Sequence, residues 1–230
     1  ISNLIGGKFA SPSQYGIFIS ILISYPLSKL YSWFPNIPFY GLMYIFLMFC
    51  VAIFVVFYVL NKINKKTIFK VSIIILILGL LLPSIVMPQF TILSALLIIP
   101  LIIIVLNFKN FSKNEKILYS ILFFLFSFFA ISVREDVFYM SIPFILLCIF
   151  INIQKEKKWI IVPTIFISIT MLIVGTHLVS NNALLNNPEY KNYVEYNIVR
   201  SDLYDFYNFP DYEEHIELYE ELGISEEAYN

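Results

Sequence analysis

Charge is what this chain most lacks. Charged residues make up 13% of its 230 positions, hydrophobic ones 59%, and the mean hydropathy is +0.80. A water-soluble domain cannot clothe its surface with so little charge. Glycine is also scarce: the 7 present form no phosphate-cradling loop, and neither HExxH nor CxxC occurs. Cys50 and Cys148 both sit inside apolar runs, which excludes a disulfide framework and reads as small buried hydrophobes. The two histidines, His177 and His215, are too few and too far apart to suggest a metal centre, and no residue is assigned to a metal. No repeat of fixed period is evident.

What fills the chain is a series of apolar runs, each close to the roughly 20 residues that cross a bilayer as helix. They are Tyr15–Phe34, Phe39–Leu60, Val71–Met87, Thr91–Leu106, Ile117–Ser132, Val137–Ile151 and Trp159–Val179. Helix is predicted for each, because backbone groups in lipid must be satisfied within the segment. The fold class is therefore all-α, a polytopic transmembrane helical bundle of 6–7 spans occupying 1–179. The lipid bilayer is its first partner. The uncertainty in the count lies in Tyr15–Phe34, where Pro26, Lys29, Tyr31 and Trp33 fit an interfacial or re-entrant segment as well as a span.

Lysine gives an orientation. Lys62, Lys65, Lys66 and Lys70 fill one polar loop, Lys109, Lys113 and Lys116 a second, and Lys155, Lys157 and Lys158 a third. The intervening turns contain no lysine. Placing the lysine loops in the cytoplasm puts the turns at Gln89 and at Arg134–Asp136 on the outer side. The last span then delivers residues 180–230 outside, as a small extracytoplasmic extension. Most of the 16 carboxylates fall in this extension, which argues against nucleic acid as a partner. Asn181, Asn182, Asn186, Asn187 and Pro188 read as a polar linker. Beyond it, Pro210-Asp211 predicts a helix over Tyr212–Leu222, with Asp211 as cap and Gly223 as stop. Its aromatic residues argue for a folded extension rather than a disordered tether. The chain opens at Ile1 without a signal-peptide pattern and closes after Ser225, which reads as a fresh helix cap, so both ends look like cuts through a longer protein.

Few residues carry chemistry. Arg134, Glu135 and Asp136 stand together where two spans meet at the outer boundary, a place where charge is costly to keep. The planar fork of Arg134 suits a phosphate or diphosphate headgroup. Glu135 and Asp136 are the candidate catalytic carboxylates, suited to binding a divalent cation or to acting as a base. The same tripeptide also reads as a solvated hairpin turn with a local ion pair. Gln89, in another short outer turn, is placed to share a cavity with Arg134; the other reading is that it simply covers the turn that Pro88 makes. Arg200, Asp202 and Asp205, with Tyr204 and Tyr207, form a second polar group suited to a sugar, or to a plain solvent-facing extension.

Two stretches carry a family resemblance. One is Pro12-Ser13 through Ile19, Leu22, Tyr25, Leu30-Tyr31, Pro35-Asn36-Ile37 and Tyr40. The other is Asn197, Arg200-Ser201, Tyr204-Asp205, Pro210-Asp211-Tyr212, Tyr219 and Leu222-Gly223-Ile224-Ser225. With Val133-Arg134 after a span, these resemble a group of large, uncharacterised polytopic membrane proteins of low-GC bacteria. Some of that group are labelled carotene oxygenases, a label that needs four iron-binding histidines where this chain has 2. The arrangement is also similar to the GT-C membrane glycosyltransferases. That resemblance implies a polyprenyl-phosphate-linked sugar as substrate and a catalytic acid in a first outer loop, which would lie upstream of Ile1. The rival expectations are a transporter or flippase, marked by unwound Pro-interrupted helices, and a non-catalytic membrane scaffold.

Overall fold

The computed structural model describes residues 5–8, 11–16, 18–63, 65–86, 88–156, 161–206 and 211–221, with backbone only at 109, 152–156, 161–168, 170, 184, 185, 201–206 and 220. Among them the regular structure is helical, with no strand. In chain order the helices are α1 (Ile21–Trp33), α2 (Phe39–Lys62), α3 (Thr67–Val86), α4 (Phe90–Asn107), α5 (Lys113–Val133), α6 (Glu135–Glu156), α7 (Ile161–Leu185), α8 (Pro188–Phe206) and α9 (Ile216–Glu221). A single 3-10 turn, Phe108–Asn110, follows α4. The chain divides into two compact units, Ile1–Ala183 and Leu184–Asn230.

Among the described residues, four helices, α2 to α5, are long and apolar enough to cross a membrane. Local sequence sets their ends. Ser112 and Glu115 close a capping box at the start of α5, where the Ser112 N–H and hydroxyl both donate to Glu115 Oε2 at 2.9 Å. The helices continue through Pro83, Pro100 and Pro143 without unwinding. Polar side chains near helix ends turn back on their own carbonyls: Asn61 Nδ2 donates to Phe57 O and Asn107 Nδ2 to Ile103 O, both at 2.9 Å.

The helices alternate in direction, and their contacts define two ends of the bundle. At one end Lys62, closing α2, donates to Glu115, opening α5. At the other end Tyr44, near the start of α2, donates its hydroxyl to Gln89 O at 3.0 Å and accepts from Gln89 N at 3.1 Å. There too Ser94, near the start of α4, donates to Ala130 O at 2.9 Å and to Arg134 O at 3.2 Å, at the end of α5. Thus the first two lysine loops share one end of the bundle with Glu115, and the Gln89 and Arg134 turns share the other.

Helix α4 is the centre. It packs against α2, α5 and α6, and Leu93, Leu96, Leu97, Ile98, Leu101, Ile104 and Val105 along it are all buried. Helix α3 packs on α2 and buries only Leu81 and Ser84. Its broad apolar surface suits lipid contact. In such a setting, close packing rather than release of water holds helices together, since lipid tails are as apolar as leucine.

Segment 15–34 does not form one long helix. Only Ile21–Trp33 is helical, 13 residues or about 20 Å of rise, short of the roughly 30 Å hydrocarbon core. Both ends of α1 are tied to the Arg134 end of the bundle. Ser20 N donates to Ser132 O at 2.8 Å. Near its C-terminus Tyr31 Oη accepts from Tyr40 N at 2.9 Å, and the Tyr31 ring meets Phe39 edge-on at 5.4 Å. A helix pinned at both ends to one end of the bundle lies along that surface. Ile23, Leu27 and Tyr31 form its buried face.

In the second unit the sequence reading needs correction. Helix α7 runs past Val179, the expected end of the membrane domain, through Asn181 and Asn182 to Leu185. The expected linker shrinks to Asn186-Asn187. Asn187 Oδ1 accepts from Tyr190 N at 3.1 Å, which makes it the N-cap of α8 with Pro188 in the first helical position. The expected helix over Tyr212–Leu222 is instead a turn followed by α9, Ile216–Glu221. Asp211 Oδ1 does accept from Glu213 N, at 3.1 Å, but it caps the turn rather than the helix. Tyr219 is buried and stacks on Tyr212 at 5.1 Å, whereas Ile216 is exposed. Gly223 lies outside the described residues.

Candidate functional site at Arg134

Arg134 is the residue on which α5 stops. Its N–H still donates to Ala130 O at 3.1 Å, but its backbone is extended, with φ -159 and ψ 100. Helix α6 then starts at once, with Glu135 and Asp136 in its first turn. Carboxylates there are favoured by the helix dipole, so the tripeptide has a local folding logic: Arg134 ends one helix and the two acids open the next.

The Arg134 side chain has an unusual setting. Its guanidinium carbon lies 4.3 Å from the Phe18 ring centroid and 5.1 Å from that of Phe90. The two rings are themselves nearly parallel, 12° apart, with centroids 6.0 Å apart. Cation–π contact of this kind is worth about 0.5–2 kcal/mol, and more as water is excluded. Phe18 reaches this position with φ 63, in the left-handed region, which costs a bulky side chain roughly 1–2 kcal/mol. The strained strap is fixed on its other side by the Ser20–Ser132 bond.

The polar side of the guanidinium is less well satisfied. Asp136 Oδ2 lies 3.2 Å from Arg134 Nε. The N–H does not point along that line, and buried Nε has no hydrogen-bond partner among the described residues. Ser132 Oγ, also buried, has none either. Arg134 remains 22% exposed, and Asp136 58%. A guanidinium held close to two aromatic rings and still partly exposed can present N–H groups to a bidentate anion.

The other sequence candidates divide. Gln89 joins the same end of the bundle: its backbone is held by Tyr44, and the next residue, Phe90, lies against Arg134. Glu135 is exposed, and its Oε2 accepts from Tyr139 Oη at 3.4 Å. With Asp136 it makes up only a pair, and among the described residues no group of three or more metal-type ligands forms. Arg200 is an exposed residue of α8 and donates to Asn197 Oδ1, one turn back, at 3.1 Å. Asp202 and Asp205 fall on the same helix, beyond the described side chains. His177 is exposed on α7. The aromatic backing of Arg134 has no sequence signal at Phe18, a non-glycine residue in a left-handed conformation. At Phe90 the only hint is adjacency to Gln89.

Compared with known proteins, the chain matches no family model, no curated protein and no solved structure.

Proposed function

We propose that this chain belongs to a bacterial inner-membrane protein that grips the phosphate of a lipid-linked substrate at Arg134. The observation that carries this reading is the guanidinium backed by Phe18 and Phe90 and still partly exposed, its buried Nε 3.2 Å from Asp136 Oδ2 yet without a hydrogen bond. A phosphate or diphosphate at the bilayer boundary matches that edge in charge and in planar geometry. In the GT-C-like reading the substrate is a polyprenyl-phosphate sugar, Arg134 holds the phosphate, and Glu135, Asp136 and Gln89 shape the approach of the acceptor. Arg200, Asp202 and Asp205, in the second unit, stand as a separate candidate group for a sugar, and a divalent cation bridging carboxylate and phosphate at Arg134 is compatible with this reading.

The finer topology belongs to the same proposal. With α1 along the surface, the spans number six, α2 to α7. The lysine end is cytoplasmic, the Arg134 end outer, and 184–230 extracytoplasmic. The transporter reading rests on unwound helices at Pro26, Pro143 and Pro163, whereas all three sit in continuous ones.

Two measurements test this. Cysteine introduced at Asn114 or Gln154 is expected to label only from the cytoplasm, and at Asn186 only from outside; labelling of Asn114 from outside reverses the orientation. Purified protein is expected to be stabilised by polyprenyl phosphate, by about 2.7 kcal/mol at a hundred times Kd, and not by the neutral polyprenol. Equal stabilisation by alcohol and phosphate would remove phosphate recognition.

A further inference from the structure

A second polar feature lies on the same end of the bundle, away from Arg134. A cavity of about 290 Å³ opens between residues 11–15 and the second half of α1. Ser11, Ser13 and Gln14 contribute one wall, and Ser28, Lys29 and Ser32 the other; Arg134 is not part of it. The volume is near the lower bound for small-molecule sites.

The walls are held by local bonds. Ser24 Oγ donates to Gln14 O, which fastens the 11–15 segment to α1. Ser13 Oγ accepts from Tyr15 N at 3.2 Å. Ser28 and Ser32 give their hydroxyl protons to Tyr25 O and Lys29 O, at 2.8 and 2.7 Å. Each hydroxyl has one proton to donate, so these two oxygens face the cavity as acceptors. Lys29 has no carboxylate within ion-pairing distance among the described residues, and its ammonium rests 5.6 Å from the Tyr25 ring centroid. The cavity therefore offers one cation and a set of hydroxyl oxygens that have already spent their protons. Its complement is a single phosphate charge on a group that also carries hydroxyl donors.

Placement suggests the source. Helix α1 lies along the end of the bundle, and Trp33 and Phe34 beside the cavity are 69% and 54% exposed. Exposed aromatics on a surface helix are a mark of the lipid headgroup layer. We propose that this cavity binds the glycerol-phosphate headgroup of an anionic phospholipid, with the phosphate on Lys29 and the glycerol hydroxyls donating to Ser28 and Ser32. The site is separate from the one proposed to hold a lipid-linked substrate, and neither depends on the other.

Trp33, next to Ser32, supplies the probe. In the full chain carrying Trp159→Phe, Trp33 is the remaining tryptophan, because the sequence has 2. The protein is placed in nanodiscs with lipids brominated on their acyl chains. Phosphatidylglycerol is expected to quench Trp33 at about fivefold lower mole fraction than phosphatidylcholine, the effect of one lysine near an anionic headgroup. Lys29→Gln is expected to abolish the preference and Lys29→Arg to keep it. Phosphatidylserine carries net charge without the glycerol hydroxyls, and it should quench less than phosphatidylglycerol until Ser28→Ala/Ser32→Ala makes the two equal. Soluble glycerol phosphate is expected to compete only weakly. Equal quenching by phosphatidylglycerol and phosphatidylcholine, or a preference that survives Lys29→Gln, overturns the site. Identical behaviour of phosphatidylglycerol and phosphatidylserine overturns the role of the hydroxyls. Tight competition by soluble glycerol phosphate with no lipid preference overturns the membrane as the source.

Discussion

Leu101→Ala is expected to destabilise the bundle by about 2–4 kcal/mol, whereas Ile75→Ala is expected to change it by less than about 0.5 kcal/mol. Both substitutions remove the same kind of side chain from a helix long enough to span a membrane. Leu101 is fully buried at the centre of α4, between α2, α5 and α6. Ile75, on the peripheral α3, is 64% exposed. In water both losses would include transfer of apolar surface. In lipid that term nearly vanishes, because hydrocarbon is as good a neighbour as leucine. What remains is the cavity left where partner helices cannot close in, and only Leu101 has such partners on every side. Reversible unfolding in bicelles, followed as sodium dodecyl sulfate is titrated in, measures both. Equal losses would mean that α4 is not the hub of the packing.

This contrast also marks how far the sequence could be read. Apolar run length and lysine placement were enough to predict α2 to α5 and to assign their loops to opposite ends, because a bilayer imposes one length and one charge rule on every span. The same information could not distinguish central α4 from peripheral α3. Both are apolar on all sides, so no polar face points away from the core. Segment 15–34 was ambiguous for a related reason. Its composition fits a surface helix and a span alike, and the deciding facts are long-range: the Ser20–Ser132 and Tyr31–Tyr40 bonds. The helix over 188–206 was not predicted, because its alternating aromatics and acids do not form a clean helical stripe. The signal actually present was the Asn187-Pro188 start, which caps α8.

At the candidate site, sequence reasoning found the arginine but not what makes it specific. Arg134 was marked by standing with two acids where two spans meet, a place where charge is costly to keep. Its aromatic backing depends on Phe18, 116 positions earlier in the chain, held in a strained conformation that no local pattern announces. Glu135 and Asp136 were singled out as chemistry. Their place in the first turn of α6 shows that helix initiation alone accounts for having acids there.

Arg134 itself is expected to be the most sensitive position for ligand recognition. Arg134→Lys keeps the positive charge but replaces the planar fork with a compact ammonium. It cannot lie flat against Phe18 and Phe90 while offering two parallel N–H groups to a phosphate. If phosphate is gripped bidentately, Arg134→Lys should weaken polyprenyl phosphate binding about tenfold, a loss of roughly 1.4 kcal/mol, and Arg134→Ala should lose more. A purely structural arginine gives a different pattern. Its contacts to Phe18, Phe90 and Asp136 would then contribute only to folding, both variants would unfold more easily, and the stabilisation that the lipid phosphate adds on top would be unchanged. Measuring thermal stability with and without the phosphate, in wild type and in both variants, separates the two effects, because the ligand increment is read independently of the baseline. An increment that survives in Arg134→Ala would assign the residue to the fold of the α5–α6 junction and remove it from recognition.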